Sequence, residues 1–333
     1  MRTSIWLLLG GLAVLVLLVD AGPRPQGKEY KSMAKEPNLT AMPPLNNEEK
    51  HVIVDKGTEP PFSGKYGDHF ANGVYICRQC GVPLYLSDSK FESHCGWPSF
   101  DDEIPGAVRR QVDADGRRTE ILCAHCGGHL GHVFLGEQLT ARNTRYCVNS
   151  LSMVFVPHEK LPLERAIFAG GCFWGVEYYF RSVPGVLAVR SGYTGGQTDH
   201  PTYREVCAGR TGHAEAVEIV FDSAKVSYER LARLFFEIHD PTQKDRQGPD
   251  AGTQYRSAIF FINDRQKQTA EKLIGLLRRR GCDVVTELTP AGTFWAAEDY
   301  HQDYLGKHPE RPACHFRVER FGPADGVPGE PNK

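Results

Sequence analysis

Reactive sulfur is concentrated at two places in this chain. One is Arg145-Tyr146-Cys147-Val148-Asn149-Ser150. There a cysteine follows an arginine whose fixed charge favours a thiolate if the two side chains meet. The other is Gly170-Gly171-Cys172-Phe173-Trp174-Gly175, where a cysteine follows a double-glycine turn and opens a helical stretch through Phe180. The dipole and unpaired N–H groups of a first helical turn lower a thiol's pKa, which suits a nucleophile. Further cysteines are distributed about each centre as if to take over its oxidised product. Two such centres read as two redox enzymes joined end to end.

Other side chains extend both centres. Cys95 lies in Ser93-His94-Cys95-Gly96-Trp97-Pro98-Ser99-Phe100, a loop in which glycine and proline bracket an aromatic. His129 and His132, in His-Leu-Gly-His, can move protons or merely sit beside a structural feature. In the second half, Phe173 and Trp174 offer an apolar wall for a methyl group. Glu215 enters a strand, where burial would keep its carboxyl protonated.

Four more cysteines form a faint repeat. Val74-Tyr75-Ile76-Cys77-Arg78-Gln79-Cys80-Gly81 and Glu120-Ile121-Leu122-Cys123-Ala124-His125-Cys126-Gly127 each run from apolar residues into C-x-x-C-G. Each reads as a tight knuckle closing a β-hairpin, with the glycine permitting the turn. Four thiolates suit a closed tetrahedral zinc that staples distant parts of a domain. Two disulfides are the alternative in an exported chain.

The elements follow from periodicity. Residues 166–169 suit a strand, and Val217, Ile219 and Phe221 alternate as a half-buried one. Leu231, Leu234, Phe235 and Ile238 share one face of a helix over 228–239, with Ser227 as its cap, and are core rather than a cofactor box. A second helix runs from Asn263 to Arg280 and stops at Gly281. Cys207 and Cys282 are expected to be buried, inert packing. The second half therefore reads as an α+β sheet-and-helix domain, preceded by a separate domain that carries the two knuckles.

With 333 residues, 41% apolar and 24% charged, the chain can fill two cores. A net charge of −2 without a basic stripe argues against nucleic acid as a partner. Arg2 precedes an apolar run over 5–19, shorter than the roughly 20 residues needed to span a bilayer, and Val19-Asp20-Ala21 resembles a small-residue cleavage site. An export signal over 1–21 is expected, with a membrane anchor as the alternative, and either puts the rest outside the cytosol. The proline-rich stretch 22–45 reads as a tether, 46–159 and 164–322 as the domains, and 323–333 as a loose tail.

Four stretches of the first domain resemble the B-type methionine sulfoxide reductases: Gly57-Thr58-Glu59-Pro60-Pro61-Phe62, Cys95 to Phe100, His129 to Phe134, and Arg145 to Ser150. The resemblance implies a mostly β fold with a four-cysteine zinc site (Cys77, Cys80, Cys123, Cys126) and reduction of the R epimer. It makes Cys147 the nucleophile and Cys95 the resolving thiol. Trp97, His129, His132, Phe134, Arg145 and Asn149 would shape or polarise the pocket. The second domain resembles the A-type reductases through 171–175, 192–196, 201–206, 212–217 and 252–257. That implies action on the S epimer, with Cys172 attacking and Glu215 as the acid. Tyr203 and Tyr255 would bind the oxygen, Phe173 and Trp174 the methyl, and Asp250 falls at a matching pocket position. Cys314 corresponds to the usual resolving cysteine, although Glu310-Arg311-Pro312-Ala313 stands where a glycine-containing approach is common. No further cysteine follows it, which favours a two-cysteine cycle.

No flavin or nicotinamide fingerprint is evident, so electrons are expected from a thioredoxin-like protein or a membrane thiol relay. Oxidised proteins containing methionine sulfoxide would be the substrates. Two rival readings are an exported thiol–disulfide oxidoreductase or redox sensor, and a zinc-knuckle binding module without chemistry.

Overall fold

Aromatic and branched residues, punctuated by glycine turns, fold the first half into sheets. The computed structural model describes residues 42–113, 115–311 and 314–322, which belong to one compact unit. The apolar run at 5–19, the cleavage-site residues, most of the tether and the 323–333 tail lie outside the described residues. Among the described residues, no helix is long and apolar enough to cross a membrane. The end of the expected tether is docked, not loose. Arg78 donates to the carbonyls of Pro43 and Pro44, and Met42 packs on the first core. Asn46 then caps α1 (Asn47–Ile53) in a capping box with Glu49.

Strands β1 (Gly73–Cys77) and β2 (Pro83–Leu86) form the first knuckle hairpin, and β9 (Met153–Pro157) pairs with β1 on its other side. A six-stranded sheet holds β3 (Lys90–Phe91), β4 (Ser99–Phe100), β5 (Val108–Val112), β6 (Thr119–Cys123), β7 (His129–Leu135) and β8 (Thr144–Val148). Its order is β3-β4-β8-β7-β6-β5. Gly81 and Gly127 end the knuckles at φ of 77° and 74°, a region that a side chain disfavours. Tyr75, Tyr85 and Phe100 are wholly buried, with Tyr85 stacked on Phe100 at 4.4 Å. Burying such a ring contributes about 1.5–3 kcal/mol.

The second domain is built on a sheet ordered β16-β15-β10-β12-β11-β17. Its strands are β10 (Leu163–Gly170), β11 (Val186–Thr194), β12 (Ala214–Asp222), β15 (Ser257–Phe261), β16 (Glu287–Pro290) and β17 (Trp295–Ala296). A small hairpin, β13 (Arg246–Gln247) with β14 (Asp250–Ala251), stands apart from it. Helices α2 (Phe173–Arg181), α4 (Tyr228–Ile238) and α5 (Asp264–Arg279) contribute to a core with Phe168, Val217, Ile219 and Phe221. Two short helices, α3 (Tyr203–Cys207) and α6 (Tyr304–Lys307), flank that layer. Ser227 and Asn263 cap α4 and α5 as expected, and Gly281 follows α5 at φ 83°.

Two expectations fail. Strand β12 is buried along its whole length, not half-buried. One face meets the helices, and the other carries Glu218 and Val220 into the junction with the first domain, where Val220, Leu163 and Leu187 join the first domain's core. Second, Cys207 is exposed at the end of α3, while Cys282 is partly buried against the core. Cys207 is the last residue of a helix that the sheet does not cover.

Ion pairs seal this junction. Arg190 donates to both oxygens of Asp102 (2.9 and 2.7 Å) and to Glu218 (2.5 Å). Arg165 bridges Glu218 (3.1 Å) and Asp88 (2.6 Å), and Arg142 pairs with Asp102. Burial alone would push the Glu218 carboxyl up, but the three arginines hold it down at about 2. The charges are desolvated together and balanced together.

Candidate active sites

In the first domain, strand register builds one polar row. Gln111 pairs with Glu120, Glu120 with His132, His132 with Cys147, and Cys147 with Ser99. Paired residues share a sheet face, so the row brings five strands' side chains to one surface. Phe134 pairs with Arg145 on the same face, one rung along. The Cys95 loop folds over this row, and the two sulfurs lie 3.8 Å apart.

One hydrogen bond ties the two thiols together. Hydrogen bonding from Cys147, helped by Ser93 and Ser99, pulls Cys95 down to about 4. The same bond, with burial, pushes Cys147 up, while the charge of Arg145 works in the opposite direction. Arg145 is itself fixed by two bonds to Glu137 (2.7 and 2.8 Å), and its guanidinium lies 4.4 Å from the Phe134 ring centroid. Its remaining nitrogen, Nη1, is buried without a hydrogen-bond partner.

Histidine geometry is equally specific. His129 Nδ1 bonds Glu120 at 2.7 Å and leaves Nε2 buried and unpartnered. His132 Nε2 bonds Asp113 at 2.7 Å. Trp97 is half-buried, with its indole N–H on the Glu59 carbonyl at 3.0 Å. Asn149 does not present a free amide to the dithiol. Its Oδ1 accepts from the Glu59 N–H and its Nδ2 donates to the Leu130 carbonyl (both 3.1 Å). The amide is drawn into backbone positioning because strand β8 ends there and must turn.

Glu59, Glu120, Asp113 and Glu137 were not legible as partners. Glu59 is 4% exposed, and its oxygens accept from the N–H groups of Ser150 (2.6 Å) and Leu151 (3.0 Å), capping the turn that follows Cys147. Its place in Gly57–Phe62 was the available signal.

Cys77, Cys80, Cys123 and Cys126 converge at the base of the two knuckles, their sulfurs all within 4.8 Å of one another. The close pairs run between knuckles, Cys77 to Cys126 at 3.7 Å and Cys80 to Cys123 at 3.6 Å. Sulfurs at 2.3 Å from a tetrahedral zinc stand about 3.8 Å apart, so this donor set is compatible with zinc.

In the second domain, Gly171 (φ 96°) turns the chain and Cys172 becomes the N-cap of α2. The thiol is 9% exposed, and the nearby Trp174 N–H works to lower its pKa. Cys314 is exposed, and its thiol lies within interaction range of Cys172. Their shared hydrogen bond pulls Cys314 down to about 7 and, with burial and Glu215, pushes Cys172 up. Glu215 is 1% exposed, accepts from the Phe173 N–H at 3.2 Å, and is pushed up to about 8 by burial. Asp250 and Cys314 are near enough to push it further the same way. Tyr203 and Tyr255 are half-buried, their phenols pushed up first by burial, and the Glu215 charge is near enough to both to add to that.

The apolar wall has a support that the residue pattern did not reveal. Trp174 is stacked on Tyr304 at 3.7 Å, and its indole N–H donates to His301 Nδ1 at 3.0 Å. His301 also touches the rings of Phe173 (5.0 Å) and Tyr203 (4.3 Å). Phe173 is 1% exposed, so it backs the wall instead of forming its surface. Glu298 accepts from the Tyr193 hydroxyl and the Tyr203 N–H, both at 2.9 Å.

Comparison with known proteins divides the chain as the two sites do. Residues 45–157 match the SelR domain, and residues 164–323 match the peptide methionine sulfoxide reductase family. A peptide methionine sulfoxide reductase MsrA of Acinetobacter baumannii (strain AYE) is 53% identical over 156 residues, which is 47% of this chain and 90% of that protein. The MsrA of Nocardia farcinica is 54% identical over 156 residues, 46% of this chain and 89% of that one. Among solved structures, Mxr1 from Saccharomyces cerevisiae in reduced form is 33% identical with a TM-score of 0.45, covering 46% of this chain and 92% of its own.

Proposed function

Because the chain belongs to the peptide methionine sulfoxide reductase family and carries a SelR domain ahead of that module, we propose the following division of work between its two sites. The protein reduces methionine sulfoxide in oxidised proteins, with the R epimer taken by the first domain and the S epimer by the second. One epimer per module is a property of the enzyme pair, not a deduction from these sites. The observation that carries the reading is that each module sets one inner thiol against one outer thiol and supplies a charge or proton beside them.

Cys147 and Cys172 are the nucleophiles in this reading. In each dithiol the interaction lowers the outer thiol and raises the inner one, so the inner sulfur becomes the attacking thiolate by passing its proton to its partner. Thiolate attack on the sulfoxide sulfur, with protonation of the oxygen, releases methionine and leaves a cysteine sulfenic acid. Glu215 supplies the proton in the second site, and its high pKa keeps the carboxyl neutral and protonated near pH 7. Tyr203 and Tyr255 orient the oxygen there, and Trp174 with Phe173 behind it receives the methyl. In the first site Arg145, His129 and His132 polarise the oxygen, while Trp97 and Phe134 shape the pocket.

Cys95 and Cys314 then condense with the sulfenic acid, forming a disulfide and expelling water. An external dithiol resets it, becoming a disulfide itself. A thioredoxin-like protein fits that requirement, and a membrane thiol relay is the alternative donor. Zinc held by Cys77, Cys80, Cys123 and Cys126 would staple the knuckles beneath the first site and take no part in the redox step. The apolar run over 5–19 supports export, with membrane anchoring as the variant reading. Simple thiol–disulfide exchange is not favoured, since both modules match sulfoxide-reductase families.

The test uses separated sulfoxide epimers with Cys147→Ser and Cys172→Ser in the full chain. Cys147→Ser is expected to abolish R reduction alone and Cys172→Ser S reduction alone. Loss of both epimers in either variant, or of neither, overturns the assignment.

A further inference from the structure

Condensation requires Cys314 to meet a thiol that is nearly out of reach of solvent, and Cys314 sits on an exposed stretch of chain. Among residues 314–322 only His315 is buried, at 3% exposure. Its Nε2–H donates to the Gly170 carbonyl at 2.7 Å, on the turn that delivers Cys172. Its Nδ1 is buried without a partner, so the ring is neutral with the proton on Nε2; a second N–H would have nothing to bond.

The socket for this ring is made of glycine. A Cβ on Gly175 would lie 2.1 Å from His315 Nδ1, and one on Gly171 would lie 3.4 Å from Nε2. Past the ring, the Tyr179 hydroxyl donates to the His315 carbonyl at 3.3 Å. The Val318 N–H reaches the Glu237 carbonyl at 2.7 Å, and Arg317 makes two bonds to the Glu237 carboxylate (2.9 and 2.7 Å). The segment after Cys314 is thus strapped to α2 and α4, with one ring plugged in beside the reactive turn.

We propose that His315 is the positioning residue that holds Cys314 against Cys172, and that Gly175 is glycine in order to admit its ring. The step it serves is the condensation of the Cys172 sulfenic acid with the Cys314 thiol, which forms one S–S bond and releases one water. Attack on the sulfoxide does not need His315. Without the plug, Cys314 is tethered only through the straps that begin at the His315 carbonyl, so it meets Cys172 at an effective concentration instead of in held contact. The proposal rests on the reading of Cys172 and Cys314 as nucleophile and resolving thiol.

The experiment uses the reduced full chain with the S epimer and no added reductant, comparing wild type with His315→Leu, Gly175→Ala and His315→Gln. The wild type is expected to release one methionine at the second site and form the Cys172–Cys314 disulfide; if it does neither, the functional reading itself has failed. His315→Leu and Gly175→Ala are expected to release that methionine at the normal rate. They should form the disulfide at least about tenfold more slowly, with Cys172 labelled by a sulfenic-acid trap. His315→Gln keeps an N–H near the position of Nε2 and is expected to restore the disulfide. Disulfide formation at the wild-type rate in the Leu or Ala variant overturns the proposal. So does loss of the first methionine, which would place His315 in the attack, or failure of the Gln variant to rescue. R-epimer turnover by the same molecules is expected to be unchanged; a parallel fall there would mean a general structural defect and would also overturn it.

Discussion

Replacing Glu215 with glutamine should make the second domain more stable and catalytically poor at the same time. The carboxyl is 1% exposed and titrates at about 8, where an ordinary glutamate titrates near 4.5. In the unfolded chain it ionises above 4.5; in the folded protein it keeps its proton until about 8. Its favourable contribution is therefore complete below pH 4.5 and is lost as pH rises through that window, at about 1.4 kcal/mol per pH unit. By pH 7 the loss is about 3 kcal/mol, and by pH 8 about 4. Glutamine never ionises and can still accept from the Phe173 N–H, so it avoids that loss. A domain of this size shifts by about 2–4 °C per kcal/mol, which gives a melting temperature raised by roughly 6–12 °C at pH 7. The difference should vanish near pH 4.5. Meanwhile S-epimer reduction should fall by about 10²–10⁴ with the loss of the proton donor. Wild-type S reduction should decline as pH rises through 8, and R reduction should show no break there from this group. Calorimetry across pH 4.5–8 with parallel epimer assays reads all of this. A variant that melts below wild type at pH 7–8, or an S rate indifferent to pH near 8, would refute the burial argument.

Two further outcomes follow from the junction and the knuckles. Arg190→Leu strips Asp102 and Glu218 of a shared buried partner and should destabilise the chain by about 3–5 kcal/mol in calorimetry. Asp102→Asn combined with Arg190→Leu should cost less than the two changes added separately. If zinc staples the first domain, stripping it with a strong chelator should unfold that domain and abolish R-epimer reduction, with S-epimer reduction continuing. Metal analysis and far-UV circular dichroism report the two halves of that expectation.

Local pattern carried the local features. The helix start at Cys172, the caps at Ser227 and Asn263 and the glycine stops of both knuckles depend on a few adjacent residues, and each is legible from type and spacing. What escaped depends on partners far away in the chain. Asp102 and Glu59 look like surface acids until Arg190 and the Ser150–Leu151 turn arrive, 88 and 91–92 residues later. Strand β12 alternates like a half-buried strand because alternation cannot report that a neighbouring domain covers the other face. Asn149 lies where a pocket amide is expected, yet its hydrogen bonds go to backbone that only the folded sheet brings near. Cys207 was misread for the complementary reason, since a cysteine's usual preference for the interior says nothing of whether its helix is covered. His315 follows Cys314 without any motif of its own; only the glycine-lined socket reveals its place.

The central claim is that two separate sulfurs each take an oxygen from one mirror form of the damaged side chain. It is tested most directly by giving Cys95→Ser and Cys314→Ser together in the full chain, adding one epimer at a time, and mapping the added oxygen by mass spectrometry with a sulfenic-acid trap. The account predicts the label on Cys147 with the R epimer and on Cys172 with the S epimer. Label on the same cysteine with both epimers, or on neither while methionine is still released, would contradict it.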